Sequence, residues 1–172
     1  AVWAEENTRD GLFDAMKRRE VYATSGPRMM LRFFAGWGFD ETIASEPDAV
    51  AIATAGGVPM GGVLRPTESD TASPTFYVAA QGDWMSAPLQ RVQIIKGWVD
   101  ANGSHEQIYE VAGDAEPKPG QAKPSVDLDT CTPHNTGYDE LCQVWRDPVF
   151  DPKVPAFYYA RVIENPSCRW NS

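Results

Sequence analysis

Leu89-Gln90-Arg91-Val92-Gln93-Ile94-Ile95-Lys96-Gly97-Trp98-Val99, with the Ala101-Asn102-Gly103 that follows and the run from Gln107 to Ala112, decides the fold. The first run is the longest strand candidate in the chain and is rich in β-branched residues. Asn-Gly is a strong turn signal, because both residues accept left-handed backbone. Gln107 to Ala112 then returns antiparallel, and the two runs form a hairpin.

Further strands lie on either side of it. Thr75 to Gln81 alternates and places Phe76, Val78 and Ala80 on one face. Phe157 to Glu164 is a final strand rich in aromatics, and Leu141 to Trp145 reads as an edge strand stopped by Asp147-Pro148 and Asp151-Pro152. Val50 to Thr54 reads as a strand ended by Gly56-Gly57, and Val58 to Leu64 as a short or bulged one. Gly113 to Ser125, with Pro117, Pro119 and Pro124, reads as a mobile solvated loop. No internal repeat is visible. Seven to nine strands predict two packed antiparallel sheets, an immunoglobulin-like β-sandwich, preceded by one helix.

That helix is read from Asn7 as N-cap, with Asp10 three residues on. Leu12, Phe13 and Met16 share a face, and Lys17, Arg18 and Arg19 crowd the last turn, where the helix dipole favours cations. Val21 to Thr24 then reads as strand, and Gly26-Pro27 breaks the chain. Beyond it, Met29, Leu31 and Phe33 alternate with Arg28, Met30 and Arg32.

Four separated blocks carry a resemblance: Ala4 to Arg9, Arg19 to Arg28, Lys96 to Asp100 and Phe157 to Val162. In these the chain resembles the C-terminal third of the bacterial family called domain of unknown function 3604, which is similar to the PHP (polymerase and histidinol phosphatase) metal-dependent hydrolases. The resemblance implies that residues 1–27 are the terminal helix and connecting strand of an upstream α/β barrel, and that residues 28–172 are an accessory sandwich. It also implies divalent metal ions bound by His and Asp residues upstream of residue 1, so no cofactor is expected within this chain. The upstream catalytic domain is the expected partner, and the isolated chain is expected to be inert.

Charge narrows the partners. Among 172 residues, 24 acidic side chains against 15 basic ones give a formal charge of −9. That balance repels phosphate backbones and anionic membrane surfaces. No apolar run is long enough to span a bilayer.

Cys131 and Cys142 bracket a polar segment with Pro and Gly, and a disulfide between them would stabilise the fold by about 3 kcal/mol through loop entropy. Two buried free thiols are the alternative. Cys168 is left over, unpaired and reduced or accessible. A disulfide places the protein in the periplasm or outside the cell.

The candidates for chemistry each have a plain structural reading. His105, near Glu106, and His134, near Asp139, are two isolated histidines, and a metal site needs three or four convergent ligands. Gly56-Gly57 and Gly61-Gly62 lack the Lys-Ser or Lys-Thr of a phosphate loop and read as turn and bulge glycines. No Gly-x-Ser-x-Gly elbow occurs. Arg9 and Arg28 are the candidates to face an anionic substrate, against a reading as ion pairs with Glu5, Glu6, Asp10 or Asp14. Arg161 is expected to stack on Phe157 and Tyr159. Trp37, Trp84, Trp98 and Trp145 would make a glycan platform if two or more rings were coplanar and exposed. Three functions follow: an accessory sandwich of a PHP-like hydrolase, an independent carbohydrate- or ligand-binding module, or an oligomerisation domain.

Overall fold

The structure, a computed structural model, describes residues 1–66, 72–114, 116, 123–134 and 136–168. In chain order the elements are α1 (Arg9–Arg18), β1 (Met30–Gly36), a 3-10 turn (Glu41–Ser45), α2 (Ala49–Gly56), β2 (Gly57–Pro59), β3 (Thr75–Gln81), β4 (Leu89–Asp100), β5 (Gly103–Gly113), β6 (Ser125–Val126), β7 (Pro133–His134), β8 (Glu140–Arg146) and β9 (Ala156–Glu164). One sheet runs β2-β1-β3-β8, a second β5-β4-β9, and β6 and β7 form a small ribbon. Every pairing is antiparallel.

The two larger sheets pack face to face as a β-sandwich. Leu31, Phe33, Phe76, Val78, Ala80 and Leu141 of the four-stranded sheet meet Leu89, Val92 and Ile94 of the three-stranded one. Phe76 stacks on Phe33 with ring centroids 5.7 Å apart and meets Tyr158 at 4.4 Å. Burying each such side chain stabilises the fold by roughly 1.5 to 3 kcal/mol. The expected inward set of Phe76, Val78 and Ala80 is correct, and the hairpin pairs Asp100 with Gly103 across Ala101-Asn102. As expected, β8 is an edge strand. The expected loop from Gly113 to Ser125 lies partly outside the described residues.

The four-stranded sheet is covered on its other face too. Phe34, Tyr77 and Val144 pack against Phe39, Ile43, Ala49 and Ala53, which come from the loop before the 3-10 turn, the turn itself and α2. Here the sequence reading needs correction, because Val50 to Thr54 is helix. Alanine at 49, 51, 53 and 55 favours helix, and Ala49 and Ala53, four apart, turn one face inward. Thr54 donates its hydroxyl to the Val50 carbonyl at 2.7 Å instead of joining a sheet.

At the N-terminus, Thr8 rather than Asn7 caps α1, its hydroxyl accepting from the Gly11 amide at 3.1 Å. Arg19 ends the helix in left-handed conformation (φ 64°). Gly61 lies against that turn; a Cβ on Gly61 would sit 2.5 Å from the Arg19 Cβ. Val21 to Thr24 is no strand and contributes only the single bridge from Val21 to Val2. Residues 1–27 are tied to the sandwich by Trp3, which donates to the Leu31 carbonyl at 2.8 Å, and by Tyr22, which donates to Met29 at 3.0 Å. Arg32 lies over the Trp3 ring.

Candidate functional site: a groove along the last strand

A groove of about 1330 Å³ opens where the two sheets diverge. One wall is β9, from Ala156 to Glu164. The other is β1 and β2 with the chain that follows them, and the N-terminal segment closes one side. Leu31, Phe33 and Phe76 from the core reach its floor, beside Met60 and Tyr158.

Behind that floor lies a buried ionic network. Lys96 Nζ is 2.6 Å from Asp147 Oδ2 and donates to the Val149 carbonyl at 2.9 Å. The Tyr158 hydroxyl donates to the same carboxylate oxygen at 2.6 Å, and the Val149 amide donates to its other oxygen. Burial, and then the hydrogen bond to Asp147, push the Tyr158 phenol up, so it stays protonated as a donor. The network joins β4 and β9 to the turn after β8.

The outer face of the three-stranded sheet is partly bare. Phe157 and Tyr159 are 61% and 43% exposed, with rings nearly parallel (12°) and centroids 6.4 Å apart. Phe157 covers Gly97, and Tyr159 flanks Ile95, which has Ile108 on its other side. Arg161 does not stack on these rings as expected. Its Nε donates to Gln93 at 2.8 Å, Gln93 in turn donates to Glu110, and Arg91 is 3.5 Å from Glu110.

The other expected residues fall as follows. Arg9 and Arg28 are exposed and do not line the groove. The Arg28 amide donates to Asp83 at 2.8 Å, which with the Met85 amide holds the Asp83 carboxyl below its usual range. Among the described residues, neither arginine forms a salt bridge with Glu5, Glu6, Asp10 or Asp14; Arg18 and Glu20 pair instead. His105 lies in β5, stacks on Trp98 and sits 2.8 Å from Asp100. Of the four tryptophans singled out, Trp84 alone is largely exposed, at 90%.

The disulfide is corrected. Cys131 pairs with Cys168, their Cα atoms 5.6 Å apart, and Cys142 is the free thiol. Cys142 sits in β8 opposite Ala79 and packs beside the helix-side core, where burial first, and then the charge of Glu140, push its thiol up. A strand residue facing that core cannot reach Cys131.

Among the described residues no three His, Cys, Asp or Glu side chains converge to hold a metal ion. The resemblance implies a metal held upstream of residue 1, and no chemical step is derived through one here. No helix among them is long and apolar enough to cross a membrane.

Sandwich and groove define a β-rich domain with an open concave surface. The family model described as protein of unknown function (DUF3604) matches residues 1–172, and the chain belongs to that family. No curated protein matches the chain, and no solved structure does.

Proposed function

We propose that the chain is the C-terminal accessory β-sandwich of a PHP-like metal-dependent hydrolase, packing on an upstream catalytic domain and shaping the mouth of its pocket. Residues 1–27 join the two, and residues 28–172 are the accessory domain. The observation that carries this reading is the outer face of α1, where Leu12, Phe13 and Met16 are 36%, 60% and 52% exposed while Ala15 alone is buried. Met16 lies four residues from Leu12 and three from Phe13, spacings that set side chains next to each other on a helix, and an amphipathic helix ordinarily turns such a surface to a core. Lone exposed apolar residues are common, whereas a contiguous set marks an interaction face. The disulfide suits an oxidising compartment, and the proposed location is the periplasm or the cell exterior.

The test expresses the region preceding residue 1 and this chain as separate polypeptides. They are expected to co-purify, and Phe13→Asp with Met16→Asp is expected to abolish this while leaving the melting temperature of the chain unchanged. Metal-dependent phosphoesterase activity is expected in the intact protein and not in the 172 residues. A reading frame with no domain before residue 1, or turnover by this chain alone, sinks the reading.

One observation favours a second reading as an independent glycan-binding module: the parallel exposed rings of Phe157 and Tyr159. Flat rings stack on sugar faces. Retention on a polysaccharide affinity gel that is lost in Phe157→Ala with Tyr159→Ala would select it.

A further inference from the structure

The groove runs along a free strand edge. β9 pairs with β4 from Ala156 to Glu164, and no described strand flanks its other side. Every residue from Ala156 to Glu164 lines the groove. Successive side chains of a strand point to opposite faces, so a space touched by residues of both parities is reached over the strand's edge. The backbone N–H and C=O groups on that side face the groove. Such an edge is a template for one more strand.

The groove also has a charge of its own. Arg19, Arg65, Lys153 and Arg161 line it and are exposed, while Glu164 is the one acidic residue among the described residues that line it. The whole chain carries 24 acidic and 15 basic side chains, so four cations to one carboxylate among the described lining residues inverts the balance of the molecule. None of the four forms a salt bridge with a described carboxylate. Cations around a concave apolar floor focus their field on whatever enters.

We propose that this groove binds an acidic peptide segment in extended conformation, which adds as a strand to the free edge of β9. Its backbone pairs with β9, its alternate apolar side chains settle on Leu31, Phe33, Met60, Phe76 and Tyr158, and its carboxylates lie among the four cations. A glycan has no backbone to pair with the edge, and a basic or proline-rich peptide lacks the charge or the amide donors. The inference stands apart from the accessory reading, since it uses no residue of the α1 face.

The probe is a fluorescein-labelled nonapeptide alternating glutamate with valine, compared with one carrying lysine for glutamate. Binding to the full chain is followed by fluorescence anisotropy, and amide hydrogen exchange of β9 is measured in the same mixture. The acidic peptide is expected to bind about tenfold tighter than the basic one, to slow exchange in Phe157 to Ile163, and to weaken with added salt. Arg65→Glu with Lys153→Glu is expected to lower its affinity about tenfold at an unchanged melting temperature. If that variant melts early, Arg19→Glu provides the same readout. Equal binding of both peptides, no binding at millimolar concentration, or binding that leaves β9 exchange unchanged would overturn the proposal.

Discussion

The two sheets of the sandwich share one core and differ in what lies behind them. Behind the four-stranded sheet, Phe34 and Tyr77 meet Ile43 and the alanines of α2, so β3 is buried on both faces from Thr75 to Val78. Behind the three-stranded sheet there is no second layer among the described residues. Ile95 is fully buried there, flanked by strand neighbours Ile108 and Tyr159, which are themselves 41% and 43% exposed. A sheet with two covered faces is held by packing in depth. The other is held by its core face and by a thin lattice of rings and polar side chains on the surface.

The seam between the sheets is where the largest effect is expected. Lys96 and Asp147 are 5% and 1% exposed, and each is the other's charge partner. Asp147→Ala strands a buried ammonium and removes the acceptor of Tyr158, with an expected loss of about 3 to 5 kcal/mol in urea unfolding. Lys96→Met in the same chain is expected to recover much of that loss, because the stranded charge goes with it. A double variant no more stable than Asp147→Ala would show that the turn after β8 needs the carboxylate for itself.

The same small substitution on each sheet compares the two directly. A Cβ added at Gly57 would meet the Ala35 carbonyl oxygen at 2.3 Å and the buried Phe39 ring at 2.6 Å. Backbone and buried ring cannot both withdraw, and Gly57→Ala is expected to cost about 1 to 3 kcal/mol. At Gly97 the nearest atoms the Cβ would meet belong to the Phe157 ring, at 2.2 Å. That ring is exposed and free to swing outward, so Gly97→Ala is expected to cost less than about 1 kcal/mol. Equal losses in thermal melts would mean that Phe157 is as fixed as Phe39.

The same contrast explains what the sequence reveals. β3, the β4-β5 hairpin and β9 are legible because their residue types and turn signals are local properties. In β1, however, Phe33 and Phe34 are both buried, on opposite faces. Period-two reading assigns a single inward face and so leaves no place for a second layer. The residues of that layer, Ala49 to Gly56, mix alanine with Val50, Ile52 and Thr54, and short apolar runs of this kind do not separate helix from strand by period. The Cys131 to Cys168 bridge spans 37 positions, and the course of β8 and β9 between them is what brings its ends together. The groove is equally silent in sequence, since Arg19, Arg65, Lys153 and Arg161 are scattered and only the fold assembles them.

The smallest expected effect is one of pH, at the end of β9. One Glu164 oxygen accepts from the Ser86 hydroxyl at 3.2 Å, while the other is buried with no hydrogen-bond partner. Burial pushes the carboxyl above its ordinary value, the Ser86 hydrogen bond opposes this, and the charge of Asp83 adds to the rise. A carboxyl raised in the folded state favours its protonated form there. Its contribution to stability is therefore complete below the unfolded value, near about pH 4.3, and is lost as pH rises through the higher folded value. Glu164→Gln removes the charge at every pH and keeps an oxygen for Ser86. The variant is expected to melt at the same temperature as the native chain at pH 4 and slightly higher at pH 7. A lower melting temperature at pH 7 would instead make Glu164 a stabilising anion for the cations of the groove. The three-stranded sheet would then be held at its open edge by charge as well as by its core.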